Sequence, residues 1–200
     1  MAGDYPVLAG FAEAEWLVRK SRFIAQAWPV SERAAALSRV TEARAARPDA
    51  RHHCYAFCVG DPAQAQAVAT DDAGEPSGTA GRPILNVIQH KGIGDVLVVV
   101  SRYFGGIKLG AGGLTRAYAQ ATEQVLGAVA LTVHQSQSAR RLALPFAREP
   151  EVRRWANAAG AAIDAVRYSD QVEIELTLSE AALGELRAFC AARGVEIHDE

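Results

Sequence analysis

The plainest pattern in the chain is Val96-Leu97-Val98-Val99-Val100, an unbroken apolar run inside residues 95–103. An apolar run without alternation predicts a strand covered on both faces. Around it the periodicity changes repeatedly. Residues 15–30 place Trp16, Val18, Phe23, Ile24, Ala25 and Trp28 around a basic knot and read as two short strands or one bent strand. Ser31 is positioned to cap an alanine-rich helix that ends near Arg47, before Pro48. His52–Val59 and residues 64–70 read as strands. A helix is expected from Gly78 or Thr79, with Pro83 in its first turn and Gly92 beyond its end. Another carries Leu114, Ala117, Tyr118, Ala121, Val125 and Val129 at helical spacing.

The pattern restarts after residues 135–138. Residues 141–145 read as a strand, Glu149–Ala159 as a helix, and Ala162–Tyr168 with residues 172–178 as a hairpin around Ser169-Asp170. Ser179 is expected to cap a helix to Arg193, and residues 195–197 form a last strand. The order β-α-β-β-α-β is the split βαβ arrangement of ferredoxin-like domains. The fold class expected is therefore α+β in two domains, 1–136 and 137–200. A length of 200 residues suits one medium and one small domain.

Charge changes this picture only locally. The net charge of −2 excludes a globally basic nucleic-acid binder. Residues 1–137 hold 13 Lys+Arg against 12 Asp+Glu, and the remainder 8 against 11, so any anion-binding role belongs to the first part. Three cysteines cannot all pair within the chain, and no secreted disulfide framework is present. Met1-Ala-Gly-Asp-Tyr-Pro lacks the layout of a signal peptide, and the longest apolar run is far short of the ~20 residues of a membrane span. A cytoplasmic protein without a membrane partner is the expectation.

Residues 102–116 leave the buried strand, cross Gly105, Gly106, Gly110, Gly112 and Gly113, and enter a helix. Glycines let the backbone approach a ligand, and free N–H groups at a helix start favour an anion. Arg102, Lys108 and Arg116 add positive charge in the same segment, though neither the P-loop spacing nor the dinucleotide fingerprint is met. The alternative is that these glycines serve tight turns only. Residues 71–81 form a second glycine-rich segment with Asp71, Asp72, Glu75, Ser77 and Thr79. Its carboxylates suit capping or ion pairing with Arg102, Lys108 or Arg116, with Mg²⁺ ligation and catalysis as weaker alternatives. Ser77 is not in a nucleophile elbow.

His52-His53-Cys54-Tyr55-Ala56-Phe57-Cys58 invites a zinc reading. Four strand rises separate the two thiols by about 13 Å, too far for one tetrahedral ion. The cysteines read as core residues, and no metal, cofactor or catalytic residue is expected. Arg19-Lys20-Ser21-Arg22, flanked by Trp16, Phe23 and Trp28, fits a single-stranded nucleic-acid contact or, more simply, a charged edge strand.

Several of these segments resemble the IMPACT family in its bacterial YigZ-type form. They are Lys20-Ser-Arg-Phe-Ile-Ala25, His53-Cys-Tyr-Ala56, the stretch 71–85 and the stretch 99–118. Ala73 departs from the family's Asp-Asp-Gly-Glu-Pro as an extra residue, which counts against a metal in that loop. The resemblance implies a first domain with the β/α fold named after the second domain of a small-subunit ribosomal protein, followed by a ferredoxin-like domain. The same tandem occurs at the ribosome-facing end of elongation factor G. A non-enzymatic RNA- or ribosome-binding protein that modulates translation is thus the leading expectation, with no DNA specificity evident. The alternatives are a small-molecule phosphate-ligand protein or Mg-dependent enzyme, and a protein-interaction adaptor. Eukaryotic relatives act through an additional N-terminal module, and this chain begins almost directly with its first strand, so their partner does not carry over.

Overall fold

The computed structural model describes residues 4–199; Met1–Gly3, part of the segment read as lacking a leader, and Glu200 lie outside it. The fold is mixed α+β, with five α-helices and three sheets among the described residues. The chain divides between His134 and Gln135 into two compact units.

The first unit opens with β1 (Tyr5–Leu8), which pairs antiparallel with β7 (Leu131–His134). Its main sheet has the order β2 (Ala12–Val18), β3 (Ser21–Pro29), β6 (Val96–Tyr103), β4 (His52–Val59), β5 (Ala67–Asp71), with every neighbouring pair antiparallel. The helices α2 (Gly81–Lys91) and α3 (Ala111–Gly127) share a core with Val96, Val98 and Val100. The helix α1 (Arg33–Ala46) packs with Leu97 and Val99 in a separate core. Alternate side chains of β6 therefore point into different cores, which is why its apolar run never alternates with polar residues.

Several expected boundaries move. Ser31 is not a cap: α1 starts behind Glu32 without a side-chain cap, which leaves the Ser31 hydroxyl one position too early. The strand expected at 64–70 begins only at Ala67, because Gln64 is held in a turn by Asp61. The helix expected from Gly78 or Thr79 begins at Gly81, since Thr79 closes a turn onto Pro76.

In the second unit, β8 (Gln137–Leu144), β9 (Ala162–Tyr168), β10 (Val172–Ser179) and β11 (Glu196–Asp199) form an antiparallel sheet in the order β11-β8-β10-β9. The helices α4 (Glu149–Ala159) and α5 (Leu183–Ala191) supply Val152, Leu186 and Cys190 to a core with Leu142, Leu144, Ile174 and Leu176. Ser179 does not cap α5 either. It precedes a short 3₁₀ turn, Glu180–Ala182, and makes no capping bond.

Candidate functional site

The acidic loop after β5 turns its carboxylates into the protein. Asp72 accepts hydrogen bonds from the backbone N–H groups of Gly78 at 2.7 Å, Ala80 at 3.0 Å and Gly81 at 2.8 Å. Two of these are at the start of α2, so Asp72 supplies the helix with an anion from eight and nine residues upstream. Partial burial pushes the Asp72 carboxyl up, but the three donors outweigh it and the net shift is downward. Asp71 accepts the Ala73 N–H at 2.7 Å, holding Ala73 at φ 45°. Ser77 is exposed, and the buried Thr79 donates its hydroxyl to the Pro76 carbonyl at 2.6 Å.

Glu75 reaches further, across to β6 and α3. Its Oε1 accepts Arg102 Nη1 at 2.6 Å and the Tyr118 hydroxyl at 2.9 Å. The ion pair is nearly dry, with side-chain exposures of 8% for Arg102 and 4% for Glu75. Cys54 Sγ lies 2.9 Å from the Asp72 carbonyl oxygen and 3.3 Å from the Tyr118 hydroxyl oxygen, and its one S–H is shared between these two acceptors. Burial pushes the Cys54 thiol up to about 12, which keeps it protonated and unreactive near neutrality. Cys58 lies in the same core as Cys54. Among the described residues no three of His, Cys, Asp and Glu group as ligands for an ion.

The cationic segment faces outward instead. After β6 the chain passes Gly105, where a Cβ would overlap the Lys20 backbone, and the Gly105 N–H donates to Ser21 Oγ at 3.2 Å. This contact brings the β2–β3 turn against the glycine loop. That turn is Arg19-Lys20, with both residues at positive φ, 45° and 63°. Asn-Gly would meet the same geometry with less strain, so two cations occupy a position that local sterics disfavour. Gly110 then takes φ 71° and ψ 167°, a conformation open essentially to glycine alone, and α3 begins with no side-chain cap.

Two cavities flank Leu109. One, of about 420 Å³, is lined by Arg51, His52, Glu75, Arg102, Phe104, Lys108 and the first residues of α3. The other, of about 410 Å³, is lined by Trp16, Arg19, Gly113, Arg116 and Gln120. Arg19, Arg51, Lys108 and Arg116 are all exposed, and none forms an ion pair among the described residues.

The structure thus gathers Arg102, Lys108, Gly110 and Glu75 at the first cavity and Gly113 and Arg116 at the second. Gly105 and Gly106 belong to the connecting loop, while Gly112 is in the first turn of α3 and lines neither cavity. Arg102 differs from the other cations because its charge is directed to Glu75. Asp71, Asp72, Ser77 and Thr79 also stand outside both cavities. Sequence reasoning weighed His52 only for zinc, passed over Arg51 and Phe104, and did not connect the Arg19-Lys20 turn to the glycine loop. An exposed aromatic at 104 beside five glycines was the one available signal.

The sequence profile of the Impact N-terminal domain matches residues 19–126. The chain belongs to the IMPACT family. It is 45% identical over 109 residues to IMPACT family member YigZ of Escherichia coli (strain K12), a match covering 54% of this chain and 53% of that protein. Over 180 residues it is 32% identical to IMPACT family member YvyE of Bacillus subtilis (strain 168), covering 90% and 82%. The chain therefore spans about half the length of the E. coli relative and most of the B. subtilis one. A solved structure described as that of a hypothetical protein superposes with a TM-score of 0.75 at 28% identity, covering 100% of this chain and 98% of that one. The IMPACT match contains every residue of both cavities except Trp16 and Val18.

Proposed function

We propose that this IMPACT protein binds RNA, on the ribosome or free, through phosphate contacts made by its first unit, and modulates translation without catalysing a reaction. One observation carries the reading: Arg19, Arg51, Lys108 and Arg116 surround the uncapped start of α3, and none has an internal carboxylate partner among the described residues. Unpaired surface cations beside free helix N–H groups suit a chain of phosphates. The two glycine-rich segments divide the work. The acidic loop fixes the geometry from within, and the cationic loop presents charge. The strand order of the second unit fits a ferredoxin-like domain, and the first unit is read as the β/α fold of the ribosomal-protein second domain. We assign the domains as 1–136 and 137–200 and the location as cytoplasmic.

A second reading has its own support. A cavity of about 420 Å³ falls in the roughly 300–1,000 Å³ range of small-ligand pockets, so a phosphate-bearing metabolite would also fit it.

The test is salt-dependent sedimentation with ribosomes and with RNA. Wild-type protein should bind at low ionic strength, and Lys108→Ala with Arg116→Ala should flatten the salt slope by about two units, one per lost phosphate contact. Thermal stability should stay within about 1 kcal/mol, because exposed charges contribute little to folding. Absence of salt-sensitive binding by the wild type would rule out the RNA reading and leave the metabolite reading.

A further inference from the structure

We propose that the cavity beside Phe104 holds one unstacked nucleotide of a single-stranded RNA, with its base against Phe104 and its phosphate at the start of α3. The inference rests on the RNA reading above and narrows it from phosphate binding to strand type.

The cavity lining combines two chemistries. Phe104, Leu109, Leu114 and Pro76 are apolar, while Lys108 and the N–H groups of the first turn of α3 are cationic or proton-donating, and the one lining carboxylate, Glu75, is neutralised by Arg102. A nucleotide has the same division between base and phosphate. Phe104 is 45% exposed although it lines a cavity, so a ring surface remains open to a stacking partner. The Arg102 guanidinium lies 5.8 Å from the Phe104 ring centroid, which backs the ring with a cation and strengthens a platform for a further π-system. Arg102 itself is only 6% exposed and its Nε has no hydrogen-bond partner, an unfilled donor beside an otherwise complete ion pair.

Strand type follows from the shape. A cavity of this size admits one base, and a base must leave its stack to enter. A duplex keeps its bases inside and offers only its backbone. Across Leu109, the second cavity with Arg19, Arg116 and Trp16 continues the cationic surface toward neighbouring phosphates. A duplex can therefore use the cations but not Phe104.

The experiment measures the affinity of the full chain for a labelled oligoadenylate of about 12 nucleotides, for the same strand paired with its complement, and for adenosine monophosphate. Single strand should bind more tightly than duplex. Phe104→Ala should weaken single-strand binding about 5- to 150-fold, the range for loss of one base stack. Duplex affinity should stay within about twofold, because the phosphate contacts remain. Phe104→Tyr should restore single-strand binding, and the duplex measurement reports that each variant is folded. Equal binding of single strand and duplex, both untouched by Phe104→Ala, overturns this inference and leaves the RNA reading standing. Binding of neither RNA at low salt overturns both. Tight binding of adenosine monophosphate without affinity for the strand also overturns it and assigns the cavity to a free nucleotide.

Discussion

The helices α2 and α3 pack on the same side of the main sheet and begin with the same shortage, backbone N–H groups that have no partner within the helix. At α2 the shortage is met internally. Asp72 bonds the N–H groups of Ala80 and Gly81 and, through Gly78, the turn that leads into them. At α3 the equivalent place is Gly110, without a side chain, and nothing caps the helix. Lys108 and Arg116 stand close to that open end, and Glu75 bonds Arg102 and Tyr118 rather than the N–H groups of the helix start. Of these two helix starts, the fold provides an anion at α2 and not at α3. The open end at α3 is a difference in use, and the chemistry that completes α2 from inside is available at α3 to a ligand from outside.

This contrast can be broken most forcefully at Glu75. Glu75→Ala strands Arg102 as an unpaired buried cation, and the expected loss is about 3–5 kcal/mol, read by chemical or thermal denaturation. A loss below about 1 kcal/mol would mean that Arg102 finds another partner and that the acidic loop does not organise the site.

Removing the internal anion of α2 should have a smaller effect. Asp72→Ala is expected to cost about 1–2 kcal/mol, the upper part of the range for a lost cap, because three N–H donors lose their acceptor together. Its pH dependence has a definite sign. The Asp72 pKa is lowered on folding, so its contribution is whole above the ordinary value of 3.8 and is lost as pH falls through the lower folded value. Asp72→Asn should remove that acid-side slope while leaving the protein folded at neutral pH.

The smallest effect on stability, and the sharpest on binding, comes from giving α3 what α2 already has. Ala111→Asp places a carboxylate in the first turn and should raise stability by about 0.5 kcal/mol through the helix dipole. The same substitution should weaken RNA binding, because the internal carboxylate competes for the open N–H groups. Higher melting temperature with unchanged RNA affinity would show that the start of α3 is no anion site.

What could be read from the sequence depended on how far apart the interacting residues are. β6 was legible because its two-sided burial is written in five consecutive side chains. The cationic glycine loop was legible as a unit for the same reason. The cap on α2 was not, since capping rules look one position before a helix and Asp72 acts from eight and nine residues upstream. The proximity of Arg19-Lys20 to Gly105 was hidden as well, because it depends on β3 pairing with β6. The glycine was visible, but the backbone that required it was not. The strands β1 and β7 escaped notice because each has only four residues, too short a stretch for alternation such as Leu131-Thr-Val133-His to stand out.

That short ribbon has a consequence for how the chain is made. Tyr5 pairs with His134 in register and stacks on its ring at 4.7 Å, and Tyr5 also donates to Asp95 at 2.8 Å. Leu8, paired with Leu131, is buried in the core beneath α2 and α3. About 120 residues separate the two partners, so at roughly 5–20 residues per second the second arrives about 6–25 s after the first. During that interval the sheet can assemble from its hairpins, but the seam joining the two ends of the unit cannot close. Leu8 must wait uncovered on a nascent chain until β7 clears the exit tunnel, which makes the first strand of this unit one of the last to reach its place.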